Sequence, residues 1–300
     1  HTRFRNVTGV QTCALPIYAS RAPTLAPARM SGPIRLLVSD IDGTLVRHDK
    51  SLSDGVIAAV ARVREAGVAV SLISARPPSG MLWIAQRLRL TDAVGAFNGG
   101  TIVNPDGSIV SAEQLEPGCA ERALALLEHP AVTPWLFADG RWYAQMIDAV
   151  YVPRERRAAN VEPVIREGFT GLLARVDKIV GVSDDHDLLA RLDREIGTAL
   201  GDSATVARSQ PYYLDITARA ANKGAGLTAL AAAAGVALDE VAVIGDERND
   251  LSMFALAGLS IAMGQGPAPV RAAADRVTRS NDEDGVAHAI DEIILAEAPR

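Results

Sequence analysis

The residues DIDGTL, Asp40 to Leu45, follow directly after an apolar stretch that is typical of a buried strand, Ile34 to Val38. A carboxylate at the carboxyl end of such a strand points into the crevice where open α/β sheets bind ligands. Asp42 can reach the same crevice, and Gly43 allows the backbone to turn tightly there. Because an Asp-Gly turn after a strand is common, the motif alone leaves open whether these carboxylates are functional.

Three further polar motifs accompany apolar or helical segments. Ser74 comes after Val68 to Ile73, and the sequence GDERND, Gly245 to Asp250, comes after Val241 to Ile244. Lys223 opens an alanine-rich segment that is typical of a helix. Each motif taken singly has an ordinary structural explanation, such as an Asp that caps a helix or a solvated Lys. Their order along the chain and their positions at element ends favour one shared site.

The four motifs, Asp-x-Asp, Ser, Lys and Gly-Asp-x-x-Asn-Asp, resemble those of the haloacid dehalogenase-like (HAD) superfamily. More narrowly, the chain resembles its Cof-type, subfamily IIB phosphatases from about Ile34 to the end. The resemblance implies an α/β fold, with a Rossmann-like doubly wound parallel sheet and an inserted α/β cap domain. It also implies a phosphoric monoester hydrolase that requires Mg²⁺. In one departure, Gln265-Gly266 follows Met263-Gly264 where family members often have Asn-Ala.

The chemistry of phosphoryl transfer predicts a role for each carboxylate. We expect Asp40 to be the nucleophile that forms an aspartyl-phosphate, and Asp42 to be the general acid and base. Lys223 would supply a compact positive charge to the phosphate and to Asp40. Mg²⁺ prefers oxygen ligands and keeps several waters. The residues expected at the metal are Asp40, Asp42 through its backbone carbonyl as in the family, Asp246, and Asp250 through a metal-bound water.

The oxygens of the transferred phosphate need further hydrogen-bond donors. The residues expected to bind phosphate or substrate are Gly43, Ser74, Asn98, Lys223 and Asn249, of which Asn98 is carried over from the family's Asn-Gly loop. Arg76 is expected either to bind an anionic group of the substrate or to steady Asp246. A purely structural ion pair is the alternative for Arg76.

The order of the predicted elements indicates two domains. Near-continuous apolar strands alternate with helices from Ile34, which is typical of a parallel sheet covered on both faces. Near Glu113 the pattern becomes a mixture of strands and helices, and the core is expected to resume with a strand at 212–216. The expected division is a disordered or spurious N-terminal extension (1–29, with four Arg and no acidic residue), a core domain (30–113 and 210–300), and an inserted cap domain (114–209).

Composition restricts the possible partners. The 300 residues are 48% hydrophobic, which is enough for a substantial core, and the net charge of −6 argues against a nucleic-acid surface. No apolar run reaches the length that spans a bilayer, and two cysteines do not make a disulfide framework. We therefore expect a cytoplasmic protein whose partner is a small-molecule phosphate ester, with neither nucleic acid nor a membrane as partner. The oligomeric state is not predicted.

The most specific functional expectation is a Mg²⁺-dependent phosphomonoester hydrolase acting on a small phosphorylated metabolite, with sugar phosphates as the first candidates. Nucleotides such as FMN, and pyridoxal phosphate, remain open. One alternative is a phosphotransferase or phosphomutase of the phosphomannomutase type, in which a sugar hydroxyl replaces water as acceptor. Another is a non-catalytic protein that binds a phosphorylated metabolite. The sequence contains no P-loop and no G-x-S-x-G nucleophile elbow.

Overall fold

The computed structural model describes residues 32–296, so the expected N-terminal extension lies outside the described residues. In chain order the strands are β1 (Leu36–Ser39), β2 (Ala69–Leu72), β3 (Val94–Ala96), β4 (Thr101–Val103), β5 (Ile109–Ala112), β6 (Thr133–Ala138), β7 (Arg141–Ala144), β8 (Val164–Ile165), β9 (Val176–Val182), β10 (Ala204–Gln210), β11 (Tyr213–Ala218), β12 (Val241–Gly245), β13 (Leu259–Ala262) and β14 (Arg276–Val277). The α-helices are α1 (Asp54–Glu65), α2 (Pro78–Arg87), α3 (Pro117–Leu126), α4 (Val152–Ala159), α5 (His186–Leu200), α6 (Lys223–Ala234), α7 (Leu251–Phe254), α8 (Ala268–Ala273) and α9 (Gly285–Ala289).

The central sheet is parallel and has the strand order β14-β13-β12-β1-β2. β1 pairs with β2 on one side and with β12 on the other. The chain builds outward from β1 to β2 first, and later outward from β12 to β14, so the direction of winding reverses between β1 and β12. The carboxyl ends of strands at such a reversal are where open α/β sheets bind ligands.

Helices cover both faces of the central sheet. Leu37 of β1 lies in the same buried cluster as Val60 of α1, whereas Leu36 lies in a second cluster with Leu227 of α6. Successive side chains of a strand point to opposite faces, which is why neighbouring leucines join different layers. Burial of each such side chain stabilises the fold by about 1.5–3 kcal/mol. The predicted doubly wound α/β fold is confirmed.

Two helix starts follow directly from capping residues. Ser53 precedes α1, and its side chain accepts a hydrogen bond of 3.1 Å from the Val56 amide, as its sequence position predicts. Asn222 caps α6 in the same way, through a 3.0 Å bond from the Ala225 amide. The second cap places Lys223 at the first residue of α6, with its side chain directed into the protein and only 1% exposed.

A second sheet, mostly antiparallel, has the order β10-β11-β9-β6-β7-β8. One of its faces is covered by α3 and α5, with Leu188 and Ile196 in the shared cluster. The opposite face carries Trp135, Phe137 and Trp142, which belong to the same buried cluster as residues of the central sheet. β6 and β7 are joined by a turn at the Asp-Gly pair of residues 139–140, a pair that favours turns, and both residues have positive φ angles.

The assignment of residues 212–216 to the core sheet is wrong. β11 pairs antiparallel with both β9 and β10 in the six-stranded sheet. An apolar strand pattern indicates that a strand is buried but does not identify its neighbouring strands. β10 was missed because its apolar and polar residues alternate only weakly and several of them are exposed. The six-stranded sheet therefore extends to Ala218. The division into core and cap domains stays a proposal, and β11 extends the proposed cap from 209 to about 218.

A hairpin forms a third, smaller sheet with the order β3-β4-β5, as the turn signal at residues 104–107 predicts. It adjoins the central sheet through a parallel bridge between Ile73 and Gly95. Within the described part of the chain, none of the helices combines the length and hydrophobicity needed to cross a membrane.

Candidate active site

Asp40 lies at the carboxyl end of β1 and is only 4% exposed. Its amide donates a 2.9 Å hydrogen bond to the Ile244 carbonyl, which ties it to the end of β12. The Lys223 ammonium lies 2.6 Å from Asp40 Oδ1 and 2.5 Å from Asp250 Oδ1. Burial alone would lower the pKa of Lys223, but the charges of Asp250 and Asp40 raise it above its ordinary value. A buried, permanently charged ammonium therefore joins the first and last of the sequence motifs.

Carboxylates are concentrated at this point. One oxygen from each of Asp40, Asp246 and Asp250 lies within 4.8 Å of the others. Burial raises the pKa of Asp40 to about 7, although the charge of Lys223 acts in the opposite direction. Burial, and then the charge of Asp40, raises the pKa of Asp246 to about 8. Three carboxylates and one ammonium leave two negative charges uncompensated, which fits a divalent cation that prefers oxygen ligands.

Asp250 already has protein partners for both of its oxygens. Oδ1 accepts a hydrogen bond from the Lys223 ammonium, and Oδ2 accepts 2.8 Å hydrogen bonds from the amides of Asp246 and Glu247. Gly245 is required beside it, because a Cβ atom at position 245 would collide with the Asp250 carboxylate. Asp250 therefore orients Lys223 and the backbone of the Asp246 loop.

The loop of the DIDGTL motif and the loop of Asp246 contact each other closely. Thr44 Oγ1 donates a 3.1 Å hydrogen bond to Asp246 Oδ1. Gly43 has φ +86°, a backbone conformation that favours glycine, and a Cβ atom there would collide with the Asp246 carboxylate. Position 43 therefore requires glycine for two reasons: its φ angle is positive, and a side chain there would collide with Asp246.

Asp42 is held by two cations. Arg76 donates from Nε to Oδ2 at 2.6 Å and from Nη2 to Oδ1 at 2.8 Å, and Lys50 Nζ lies 2.7 Å from Oδ1. Burial alone would raise the pKa of Asp42, but the hydrogen bonds and charges of Arg76 and Lys50 lower it well below its usual range. Of the alternatives for Arg76, the ion pair is observed, and its partner is a predicted catalytic carboxylate. Lys50 was missed, because nothing in the sequence distinguishes it from other loop lysines.

Ser74, Asn98 and Asn249 are brought together by an unusual loop. Phe97, Asn98 and Gly99 have φ angles of +50°, +59° and +87°. The Asn98 amide donates a 2.7 Å bond to the Ser74 carbonyl, and Asn249 Nδ2 donates a 3.2 Å bond to Asn98 Oδ1. Sparsely populated backbone conformations of this kind cluster at functional sites. Three of the predicted phosphate- and substrate-binding residues, Ser74, Asn98 and Asn249, are therefore connected by hydrogen bonds.

Comparison with known proteins identifies the family. A model of haloacid dehalogenase-like hydrolases matches residues 37–290. The chain belongs to this family. The YxeH protein of Bacillus subtilis (strain 168) is 30% identical over 279 residues, which cover 88% of this chain and 99% of that protein. HMP-PP phosphatase from Cronobacter sakazakii (strain ATCC BAA-894) is 30% identical over 234 residues, covering 77% and 84%.

A solved structure shows the same architecture. The crystal structure of a haloacid dehalogenase-like hydrolase from Bacteroides thetaiotaomicron matches with a TM-score of 0.79 at 30% identity, covering 87% of this chain and 99% of that one. The predictions of the HAD superfamily, of its fold and of a phosphatase enzyme are thereby confirmed.

In this HAD-like hydrolase, Gln265, which stands where family members often have Asn, makes two hydrogen bonds to neighbouring loops. Gln265 Nε2 donates a 2.5 Å hydrogen bond to the Gly43 carbonyl, and its Oε1 accepts a 3.2 Å bond from the Asn281 amide. Asn281 Nδ2 in turn donates a 2.9 Å bond to the Val46 carbonyl. Gln265 and Asn281 thus hold the loop of the DIDGTL motif in place through hydrogen bonds to its backbone, a contact that the sequence did not predict.

Replacement of Gln265 by Ala is expected to lower kcat about tenfold, the equivalent of about 1.4 kcal/mol, because the Gly43 carbonyl loses its partner. The free energy of unfolding should fall by only about 1 kcal/mol, since one partly exposed hydrogen-bonded side chain is lost. Initial rates and urea unfolding measure the two effects. Gln145→Ala is the matched control, because Gln145 donates to the Glu167 carbonyl in the six-stranded sheet region. An unchanged kcat in Gln265→Ala would show that the hydrogen bond from Gln265 to the Gly43 carbonyl does not contribute to turnover.

Without metal, the free energy of unfolding of this HAD-like hydrolase is expected to decrease as the pH rises from about 4 to about 8. Asp40 and Asp246 have pKa values raised from 3.8 to about 7 and about 8, so the folded state binds protons more tightly than the unfolded state in this window. The loss should be at least about 1.4 kcal/mol, the equivalent of one pKa unit. The lowered pKa of Asp42 acts at lower pH.

Urea unfolding in EDTA at several pH values measures this dependence. Added Mg²⁺ should flatten the curve, and so should Asp246→Asn in the absence of metal. A stability that does not change with pH in the metal-free wild type would contradict the raised pKa values of Asp40 and Asp246, which come first from burial and then from neighbouring carboxylates.

Proposed function

We propose that this HAD-like hydrolase is a Mg²⁺-dependent phosphomonoester hydrolase that works through an aspartyl-phosphate on Asp40. The observation that carries the proposal is the buried Lys223 ammonium between Asp40 and Asp250, beside the Asp246 carboxylate. The name of the Cronobacter relative, HMP-PP phosphatase, supports a small phosphorylated metabolite as the substrate. Sugar phosphates are our first candidates.

In the first step, a bond forms between a carboxylate oxygen of Asp40 and phosphorus, while the bond from phosphorus to the leaving oxygen breaks. Asp40 must be ionised to attack, and Lys223 favours its ionised form. Asp40, Asp246 and the Asp42 carbonyl would hold Mg²⁺. Asp250 would orient Lys223 and the backbone of Asp246 through its hydrogen bonds. When bound, the ion supplies the positive charge that lets an anionic phosphate approach an anionic nucleophile.

Asp42 would give a proton to the leaving oxygen and later accept one from the water that attacks the aspartyl-phosphate. Its ion pairs with Arg76 and Lys50 favour the ionised form, which suits the second of these steps. Donation in the first step would require the contacts to Arg76 and Lys50 to loosen as substrate binds. Ser74, Asn98, Asn249 and the loop at Gly43 would bind the remaining oxygens of the phosphate and substrate.

The six-stranded sheet and its helices would act as a cap over the leaving group. Its α4 approaches α2 closely: Ser79 Oγ donates a 2.6 Å bond to the Ala159 carbonyl, and a Cβ atom at Gly80 would lie 2.5 Å from the Ala158 carbonyl. Enclosure of this kind excludes bulk water from the reacting groups. The proposal therefore assigns phosphate chemistry to the central sheet and leaving-group recognition to the cap.

Phosphate release from a panel of sugar phosphates, nucleotides and phosphorylated cofactors tests the proposal, using the full chain with Mg²⁺ or with EDTA. We expect free phosphate from at least one ester, and its loss in EDTA. An isomerised phospho-sugar without free phosphate would instead indicate a phosphotransferase. Binding of an ester without any turnover would indicate a non-catalytic protein.

A further inference from the structure

Two oppositely charged side chains are buried on the face of the six-stranded sheet that points towards the central sheet. Lys178 of β9 is 6% exposed and Asp215 of β11 is 4% exposed. Lys178 Nζ lies 3.0 Å from Asp215 Oδ2, and it lies 5.7 Å from the ring centre of Phe137. Burying two charges carries a desolvation penalty, so such a pair is weak evidence for a role in stability. Its position makes a role in binding the better explanation.

The pair adjoins the phosphate-binding loop. Lys178 Nζ donates a 3.3 Å hydrogen bond to the carbonyl of Ala75, the residue after Ser74. Glu155, on α4, is a further buried charged residue of this region: burial raises the pKa of its carboxyl group, and the charge of Lys178 acts in the opposite direction. Arg76, which binds Asp42, follows Ala75 in the chain, so Lys178 contacts the residue next to the partner of Asp42.

Several of these polar groups have unused hydrogen-bonding capacity. Among the described residues, Asp215 Oδ1 is buried without a hydrogen-bond partner, and the Tyr213 hydroxyl lies beside Glu155 without a hydrogen bond of standard geometry. An ammonium has three donors, and Lys178 uses two, for Asp215 and Ala75. Because buried polar groups are almost always hydrogen-bonded, this cluster is suited to a polar ligand.

We propose that Lys178 and Asp215 form a subsite for the hydroxyl groups of the leaving group, with Tyr213 and Glu155 extending it. A free donor on Lys178 and a free acceptor on Asp215 match adjacent hydroxyls, each of which can accept and donate. The inference rests on the proposed hydrolase activity and narrows its substrate class to polyhydroxylated phosphate esters.

The test compares a hexose 6-phosphate with acetyl phosphate, which has no hydroxyl group on its leaving group. The double variant Lys178→Met/Asp215→Leu removes both charges together, because removal of one would leave the other buried and unpaired. We expect kcat/KM for the hexose phosphate to fall at least about tenfold, as for a site that loses its hydrogen bonds to substrate. The value for acetyl phosphate should change less than about twofold.

Two further variants sharpen the test. Tyr213→Phe removes only a hydroxyl and should lower kcat/KM for the hexose phosphate severalfold, with acetyl phosphate unaffected. Asp177→Asn is the matched control, because Asp177 neighbours Lys178 in sequence but accepts a 3.0 Å bond from Gln114 instead, and the substrate ratio should stay as in the wild type.

The outcomes separate this inference from the proposed function. An equal loss for both substrates in the double variant, or no loss for either, would overturn the subsite. A wild-type protein that releases phosphate from neither substrate, and from no ester of the wider panel, would overturn the hydrolase proposal itself.

Discussion

Replacement of Asp40 by Asn is expected to lower kcat by at least about 10⁴-fold, as removal of a nucleophile does in other enzymes. The fold should persist, because the Asn side chain retains an oxygen that can accept from Lys223. Without metal, the free energy of unfolding should stay the same or increase, since Asp246 and Asp250 then face one carboxylate fewer. Rates at saturating substrate and urea unfolding measure the two quantities.

A large loss of kcat with unchanged or increased stability would distinguish loss of the nucleophile from loss of the fold. Asp106→Asn serves as the matched control, because Asp106 accepts a hydrogen bond from the Ser108 amide in the β4–β5 turn and has no proposed role in turnover. It should retain wild-type kcat and lose at most about 1 kcal/mol of stability. Retained turnover in a folded Asp40→Asn protein would refute the aspartyl-phosphate mechanism.

Replacement of Lys223 by Met is expected to remove turnover and also to reduce the free energy of unfolding by about 3–5 kcal/mol, as when one partner of a buried ion pair is lost. The ammonium is the bridge between Asp40 and Asp250, and without it both would be buried with no opposite charge beside them. Urea unfolding at neutral pH in EDTA measures the loss. Lowering the pH should recover part of it, because protonation then removes the uncompensated negative charge.

Lys50→Met provides the control for Lys223→Met. Lys50 also pairs with a carboxylate of the DIDGTL motif, Asp42, at 2.7 Å, but its side chain is 43% exposed. Exposed ion pairs are worth at most about 1 kcal/mol, and Arg76 keeps Asp42 paired. A similar loss of stability in both variants would show that burial does not distinguish the two lysines.

The local elements were predicted well because their signals are local. α6 begins at Lys223, where the alanine-rich segment was expected to start a helix. Side-chain caps and apolar periodicity act within a few residues, so the sequence carries them directly. The geometry also joins Asp40, Lys223 and Asp250 through hydrogen bonds, because their motifs end or begin elements that meet at one edge of the sheet.

The errors and omissions concern partners that lie far apart in the chain. β11 was assigned to the wrong sheet because its own pattern does not name β9 and β10 as neighbours. The Arg76 clamp on Asp42 and the Gln265 bond to Gly43 join residues 34 and 222 positions apart. No short-range pattern predicts such contacts, because they depend on how separate loops are brought together.

The sequence by itself determined the family, the order of the strands and helices around the motifs, and the residue types at the ends of the strands, since these follow from local pattern. Only the tertiary structure decided which charges meet. It brings Lys223 between Asp40 and Asp250, surrounds Asp42 with Arg76 and Lys50, and buries Lys178 against Asp215 on the facing sheet. The reason is physical: the strength of a charge interaction depends on distance and on exclusion of water, and packing sets both.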